Sequence, residues 1–554
     1  MKTSKNTRVR AARALRIALA AAFVLVAGFS HSPVRAAPKA NPLMSIGLYY
    51  GDTALNAANL LNAVGSGYRF GYMTGDEFTE VARTSATAIT VFKNRNVCVT
   101  PSGNYVDGTS GGILVGAWHD NTGKSFSDAA EAAAAAAGLR AEGKMAFVSY
   151  DRVKNLWYIR MNSYGSSSGG KISGTQYCVT VALTGTNDII FQYDSASADN
   201  SLVIAPDITG QVRPSAVFKG ETYCGYFRYA RMEGNDITVC NLVSMQDYCK
   251  GVIPYEMSAS WHVEALKAQT LAAKSYLSAN TGRHKASGFD LCNNSHCQVY
   301  RGTRRATENS DRAVDETYGM YVTYDGAVCH TYYSSSNGGA SEDVENVWTA
   351  YMPYLRGVRD DYENLSSATN GIWQLTLTNA SLSQLLTSKG YPNSGVVNFY
   401  VSKFTNMGNA YEITFTDSSG KKTVITRCDR VRSFLSLNSV RFRITSGLVS
   451  LDARSADSAS RLTGGFGVWV IGEGGSIYEA VLGDAFRVIN GDGLVMGLPA
   501  TPSEDGVYTV EGRGWGHSVG MSQWGARGMA ELGFTFDEII RFYYKGANVT
   551  AGEA

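Results

Sequence analysis

Four short stretches of this 554-residue chain combine residue types that can do chemistry. The first holds Glu256, two residues after Pro254 and close to Met257 and Trp261. Burial among such neighbours penalises a charged carboxylate and raises its pKa, and a carboxyl that stays protonated can act as a general acid. Glu256 could instead only cap the helix that follows or pair with a lysine. The second stretch holds Cys292, His296 and Cys297, with His284 eight residues before the first cysteine. Thiolates and imidazoles together form a soft ligand set suited to Zn2+. A Cys292–Cys297 disulfide, and a surface His284 beside Arg283 and Lys285, are the competing readings.

The third stretch runs Ser334, Ser335, Ser336, Asn337, Gly338, Gly339. Its glycines permit close approach of a ligand to the backbone, and its hydroxyls and amide can bind sugar hydroxyls. Glu342 follows as the second choice of carboxylate. The fourth spans residues 512–526, GRGWGHSVGMSQWGA. It offers His517, Ser522, Gln523 and the stacking ring of Trp524 on a glycine-shaped loop. It does not follow a strand in a βαβ unit, so a nucleotide-binding reading fails.

Local signals predict how these residues are held. Ser244 and Asp247 stand at capping-box spacing for a short helix over 244–250, which Gly251 can end. Pro254 biases Ile253 toward an extended conformation, leaving Glu256 on a short loop. A second helix is predicted over 263–279, with Leu266, Ala273 and Leu277 buried and Lys267 and Lys274 on a common face. Glu264 on that helix faces solvent or pairs with Lys267. A strand over 328–333 leads into the Ser/Gly loop, and a last helix covers 535–542.

Upstream, strands are predicted over 44–50, 88–92, 145–150 and 156–161, with an alanine-rich helix over 127–139 capped by Ser127. The last three elements make a β-α-β-β unit with a preceding strand. Between the third and fourth stretches, a helical piece over 381–386 and strands over 398–404 and 410–415 precede a β-rich segment, 446–508. The fold class is therefore α+β: a mixed, multi-lobed domain of mainly antiparallel strands and short helices, preceded by small β-rich and α/β modules. The division predicted is residues 1–37, 38–235 and 236–554, with 371–508 an intervening segment.

Lys2, Lys5, Arg8, Arg10, Arg13 and Arg16 precede a short apolar run and the small residues Ala36 and Ala37. This is the pattern of a secretory signal peptide, with a retained N-terminal anchor as the alternative. The whole chain is formally +2; the seven basic groups of residues 1–36, which hold no acid, leave the remainder at −5. Such a chain is a poor partner for nucleic acid. Nine cysteines in an exported chain permit disulfides, but the odd number leaves one over, and their spacing is not that of a dense disulfide scaffold.

The four stretches also carry a resemblance. YCKGVIPYEMSASWHVEALKAQTLAAKSYLSA from Tyr248, GFDLCNNSHCQVYRG from Gly288, YYSSSNGG from Tyr332 with VWTAYMPYLRGV from Val347, and GRGWGHSVGMSQWGARGMA from Gly512 resemble the stage II sporulation protein D family, which includes amidase-enhancer proteins. The resemblance covers about residues 238–550. It implies a lytic transglycosylase acting around a glycan cleft on peptidoglycan strands stripped of their peptides, with Glu256 as general acid/base. The alternative is a non-catalytic wall-binding enhancer of an N-acetylmuramoyl-L-alanine amidase. The implied substrate contacts are Lys267, Tyr332, Ser335, Ser336, Gly338, Gly339, His517, Gln523 and Trp524. The implied metal is one structural zinc on His284, Cys292, His296 and Cys297. Implied partners are glycan strands, a wall amidase and membrane-anchored engulfment proteins. Residues 38–235 match only loosely and suggest added wall or partner binding. Two departures stand out: Asn337 where the family has serine, and Ser518 where it favours glycine.

Overall fold

In the computed structural model the described residues run from 38 to 553, apart from 166–167, 169, 209–212, 349 and 364–370. Between 445 and 505 only the backbone of six short strands is described. The expected leader, 1–37, therefore lies outside the described residues. No described helix is long and apolar enough to cross a membrane.

The catalytic candidate hangs from a seven-stranded sheet. Its strands are β1 (Leu43–Tyr49), β2 (Gly67–Thr74), β3 (Glu77–Thr84), β4 (Leu202–Asp207), β5 (Tyr226–Arg231), β6 (Ile237–Ser244) and β7 (Leu291–Cys292), in the order β7-β1-β6-β5-β4-β2-β3. β1 runs antiparallel to β6, with Ile46 opposite Asn241, and parallel to β7, with Gly47 opposite Cys292. The metal candidate Cys292 thus sits on a strand docked beside β1. Residues on both sides of position 235 share this sheet and one core running from Met44 to Ala547. Both partners of β1, the strands β6 and β7, lie beyond position 235, so residues on the two sides of the expected boundary pack in one sheet.

A nine-stranded sheet carries the β-α-β-β unit. The strands Ala146–Asp151 and Leu156–Gly165 form an antiparallel hairpin, with Tyr150 opposite Trp157. The alanine-rich helix is Ala129–Ala141, and Asp128, not Ser127, caps it by accepting from the Ala130 and Glu131 amides. The carboxylate one residue later suits the positive helix end better than the hydroxyl.

Two helices follow β6: α1 (Met245–Glu256) and α2 (Val263–Ala279). Ser244 caps α1, its hydroxyl accepting from the Asp247 amide at 3.1 Å. Gly251 does not end α1. It lies inside, where a Cβ would stand 2.4 Å from the buried Tyr300 ring. Pro254 also lies inside α1, so Glu256 is the last helical residue rather than a loop residue. Burial of Tyr248, Cys249, Val252 and Ile253 against the core overrides the local helix-breaking signals. Gly251→Ala is expected to destabilise the protein by about 1–3 kcal/mol, because overpacking must displace Tyr300; chemical denaturation read by tyrosine fluorescence checks it.

α2 is buried on nearly all sides, from Ala265 to Leu277, as befits a helix at the centre of a core. The face that carries the two lysines is turned inward. Lys274 is fully buried and donates to the Thr317 carbonyl at 2.7 Å. The strand predicted over 328–333 is shorter: only Ala327–Val328 and β8 (Tyr333–Ser334) are extended and paired. Between them the Thr331 hydroxyl donates to the Ala272 carbonyl at 2.7 Å, tying this segment to α2 instead.

A second lobe has its own core around Phe399, Phe415, Val431 and Tyr508. It includes a three-stranded sheet of β9 (Ile372–Thr378), β10 (Arg441–Ile444) and β11 (Val507–Arg513), ordered β9-β11-β10. The chain returns to the first core through β12 (Met521–Ser522), which pairs parallel to β8, and the helices α3 (Gln523–Glu531) and α4 (Phe536–Tyr543). The architecture is α+β and multi-lobed, with mostly antiparallel sheets and short helices.

Candidate functional site

Glu256 is brought by the end of α1 to the meeting point of three other segments. Its Oε1 accepts from the Val299 amide at 3.4 Å, and its Oε2 accepts from Gln523 Nε2 at 3.3 Å. The Tyr333 hydroxyl also approaches it. Desolvation pushes the Glu256 pKa above its ordinary value, against the lowering effect of these donors. Its place at a helix C-terminus, the negative end of the helix dipole, acts in the same direction as burial. Glu256 does not cap α2: His262 does, its Nδ1 accepting from the Glu264 amide. Nor does a lysine pair with it among the described residues.

Gln523 is itself held. It is buried, stands at the start of α3, and its Nε2 also reaches Gln269 Oε1 on α2 at 3.3 Å. Ser522 caps α3 by accepting from the Gly525 amide at 3.2 Å. The next residue after Gln523, Trp524, donates its amide to the Ser335 carbonyl at 3.1 Å. Its ring meets Trp261 edge-on at 5.0 Å, and the Arg527 guanidinium lies over both rings. The end of the 512–526 segment and the Ser/Gly loop therefore stand beside Glu256.

The other sequence candidates divide. Gly338 (φ 71°) and Gly339 (φ 107°) occupy left-handed backbone, and a Cβ on Gly338 would stand 2.6 Å from the Arg513 carbonyl oxygen. Asn337 braces this loop from within, since its Nδ2 donates to Asp360 at 2.7 Å and its Oδ1 accepts from the Gly339 amide. Ser336 is buried and exchanges backbone bonds with Trp515. The Tyr332 ring stands edge-on to Trp348 at 4.7 Å, and Trp348 in turn meets His517 at 5.0 Å. His517 Nδ1 accepts from the Val519 amide, which leaves the proton on Nε2, and burial lowers its pKa to about 4. Ser518 has φ 61°, a left-handed conformation that explains why glycine would suit this position.

Two candidates are engaged elsewhere. Lys267 is paired with Glu264 at 2.8 Å and Glu316 at 2.5 Å, with only 12% of its side chain exposed. Glu264, besides this pair, accepts from the Phe536 amide at the start of α4. Glu342 is buried and accepts from Thr405, Asn409, Asn346 and the Asp343 amide, which makes it a tie between the two lobes.

The residues around Glu256 that the sequence did not disclose are Tyr333, Gln269 and Gln298. Tyr248 donates to Gln298 Oε1 at 2.8 Å, and Gln298 Nε2 donates to the Ala273 carbonyl at 3.1 Å. Gln269 Nε2 is buried without a hydrogen-bond partner among the described residues, so the polar network around Glu256 is not fully satisfied. The sequence signal for Gln269 is a glutamine within a largely apolar helical stretch, whereas Gln298 follows the polar run Asn293 to His296 and carries no such signal.

The metal candidates converge. Ligand atoms of His284, Cys292, His296 and Cys297 all lie within 4.8 Å of one another. His284 Nε2 is 3.3 Å from His296 Nδ1, Cys297 Sγ is 3.4 Å from His284 Nε2, and both sulfurs are 3.6 Å from His296 Nδ1. A tetrahedral ion with bonds of about 2.0–2.1 Å to nitrogen and about 2.3 Å to sulfur needs edges of about 3.3–3.8 Å. The donor set therefore fits such an ion in type, and four of its six separations match those edges, while the full spread of up to 4.8 Å would have to close slightly around the ion. All nine cysteines are free thiols, so no Cys292–Cys297 disulfide is present. Cys292 and Cys297 share one hydrogen bond, which lowers the pKa of the first and raises that of the second, so one proton lies between the two sulfurs and a bound cation would displace it. Cys297 lies two residues before Val299, so the same short loop carries a ligand and the amide that touches Glu256.

Residues 233–324, which hold Glu256 and all four ligand candidates, match the family Stage II sporulation protein. The chain is 31% identical over 308 residues to an amidase enhancer of Bacillus subtilis, a match covering 54% of this chain but only 40% of that relative. It is 30% identical to an uncharacterized protein of Brachyspira hyodysenteriae, covering 56% of this chain and 68% of the relative. It is 27% identical to stage II sporulation protein D of Bacillus subtilis, covering 56% and 76%. With the matched segment built around Glu256 and the Cys/His cluster, the chain belongs to the stage II sporulation protein D family.

Proposed function

We propose that this chain acts on peptidoglycan in cell-wall remodelling, and that it cleaves glycan strands as a lytic transglycosylase. The observation that carries the cleavage reading is the carboxyl of Glu256, half-buried at a helix C-terminus with its pKa raised. Protonated, it donates to the glycosidic oxygen between N-acetylmuramic acid and N-acetylglucosamine as the C1–O bond breaks. As carboxylate, it takes the proton of the muramic C6 hydroxyl while O6 bonds to C1, giving a 1,6-anhydro end. One carboxyl serves both steps, unlike the usual glycosidase pair, and the intramolecular nucleophile has a high effective molarity. Gln523, the Val299 amide and Tyr333 orient the carboxyl, and Trp524 with Trp261 offers a stacking surface.

His284, Cys292, His296 and Cys297 would hold zinc, which supplies a fixed cross-link and no water-activating chemistry. The second reading is a non-catalytic enhancer of a wall amidase. The names of the relatives favour it over cleavage, since one of them is called an amidase enhancer. Incubating purified sacculi with the protein alone, and with an added N-acetylmuramoyl-L-alanine amidase, separates the two. On sacculi already stripped of their peptides, cleavage predicts release of glycan fragments by the protein alone; on intact sacculi, enhancement predicts more stem-peptide release by protein and amidase together than by the amidase alone.

We propose the exported location on the same footing, with a wall amidase and engulfment membrane proteins as partners. Cleavage of the leader is expected near Ala36 or Ala37. N-terminal sequencing of the exported protein checks this, and an intact Met1 on the wall-associated form contradicts it.

A further inference from the structure

Eight non-glycine residues among those described have positive φ. Seven of them lie between 48° and 61°, the φ of the small left-handed region that side chains tolerate. The eighth, Arg427, has φ 78° and ψ 132°, outside that region and in backbone space that a side chain disfavours. Such a conformation persists only where its surroundings hold it. Arg427 joins the strand Lys422–Thr426 to the helix Cys428–Phe434. Ile425 before it packs in the second lobe's core, Cys428 after it packs in the first core, and Val431 and Phe434 pack in the second again. The chain reaches into the first core with one residue and returns, and the sharp bend falls on Arg427.

From this bend the Arg427 side chain crosses to the short helix Val344–Val347, whose Val344 and Val347 belong to the first core. Its Nη1 donates to the carbonyls of Glu345 and Trp348. Carbonyls at a helix C-terminus lack partners within the helix, and a cation suits this negative end of the dipole.

The residue gripped in this way, Trp348, is part of a row of rings. It stands edge-on to Tyr332 at 4.7 Å and meets His517 at 5.0 Å, while Tyr332 stands edge-on to Tyr276 of α2 at 5.8 Å. Tyr332, Trp348 and His517 are each half-buried, so each keeps surface that a ligand can meet. Tyr332 precedes Tyr333, whose hydroxyl approaches Glu256. The helix that follows Arg427 reaches the same row, since its ion pair Asp429–Arg432, at 2.8 Å, acts electrostatically on His517.

We propose that Arg427 is a positioning residue: the strained bend aims its guanidinium at the Trp348 backbone, and this holds the Trp348 ring against Tyr332 and His517 as a wall on which a sugar ring of a glycan strand is placed. The second lobe thereby shapes the site through one side chain. The assignment rests on the reading that the chain acts on peptidoglycan.

The test uses three variants of the full chain. Arg427→Ala keeps the disfavoured backbone and loses the guanidinium, Arg427→Gly loses both, and Arg427→Lys keeps a cation. Glycine ordinarily destabilises relative to alanine, so a higher melting temperature for Arg427→Gly than for Arg427→Ala is the expected sign of the strain. The ring arrangement is read as the near-ultraviolet circular-dichroism band that disappears in Trp348→Phe. That band is expected to be lost in Arg427→Ala and Arg427→Gly and partly kept in Arg427→Lys. Binding of peptide-free strands is expected to fall roughly two- to tenfold in the first two, the scale of one aromatic contact, and to recover in part with lysine. Because Arg427→Gly relieves the strain, its weaker binding is separated from a loss of folding. An intact Trp348 band or wild-type affinity in Arg427→Gly overturns the proposal, as does Arg427→Ala melting above Arg427→Gly. If wild type itself binds no strands, the peptidoglycan reading fails and takes the sugar wall with it, while the Trp348 band still decides whether Arg427 holds Trp348.

Discussion

Glu256→Gln is expected to lower release of 1,6-anhydro-ended fragments by about 10²–10⁴, the usual worth of general acid–base catalysis. Binding of peptide-free strands should be retained, because glutamine keeps the shape and its oxygen can still accept from the Val299 amide, while its NH2 group meets Gln523 once that amide turns over. A merely structural glutamate would not separate these two readouts. The substitution also carries a stability signature. The folded-state pKa of Glu256 is raised above its unfolded value. Its contribution is therefore fully present below the unfolded pKa and is lost as pH rises through the folded one. Glutamine imitates the protonated form at every pH. The variant should melt at the same temperature as wild type in acid and at a higher temperature at neutral to alkaline pH. Differential scanning calorimetry across pH reads this, and a variant less stable than wild type at alkaline pH contradicts the assigned shift. Wild-type cleavage should correspondingly decline as pH rises through the folded pKa, because the acid form is consumed.

The second large effect concerns the Cys/His cluster. Cys292→Ala and removal of metal by a chelator are each expected to destabilise the protein by several kcal/mol, less than the roughly 10 kcal/mol or more seen where a metal organises a whole small domain. The core around β1, β6 and α2 is extensive, so folding should not be abolished. The expected metal content is one zinc per chain by elemental analysis. Activity should fall more than stability explains, because the ligand Cys297 and the Glu256-contacting Val299 amide share one loop. A metal-free protein of unchanged melting temperature would contradict the ligand assignment.

Much of the site was legible because chemistry and spacing coincide. The Cys292, His296, Cys297 triplet is a local signal, and His284 joins it because a β-bridge between His284 and Phe289 folds it back toward the cysteines. The helix over 263–279 was legible through to its ends. The conformation of Glu256 was not. Gly251 and Pro254 both read locally as helix-ending, yet α1 continues through them, because the space beside Tyr300 requires a glycine and burial of Val252 and Ile253 holds the last turn. Lys267 looked like a sugar contact by its place in the matching segment, but its partner Glu316 lies on a different helix, and such pairings cannot be read from one segment. Tyr333 and Gln269 were invisible for the same reason: their importance comes from a contact across the fold, not from spacing. The mixing of β1 with β6 in one sheet likewise joins residues about 200 positions apart, a register that no local pattern encodes.

The most direct test of the central claim is mass spectrometry of the products formed by the purified wild-type protein on peptide-free glycan strands, with no amidase present. The expected products are fragments ending in 1,6-anhydro-N-acetylmuramic acid, each lighter by one water than the hydrolytic product, and they should be lost in Glu256→Gln. Intact strands after prolonged incubation with zinc-loaded protein that binds them would contradict cleavage and leave the chain a wall-binding enhancer.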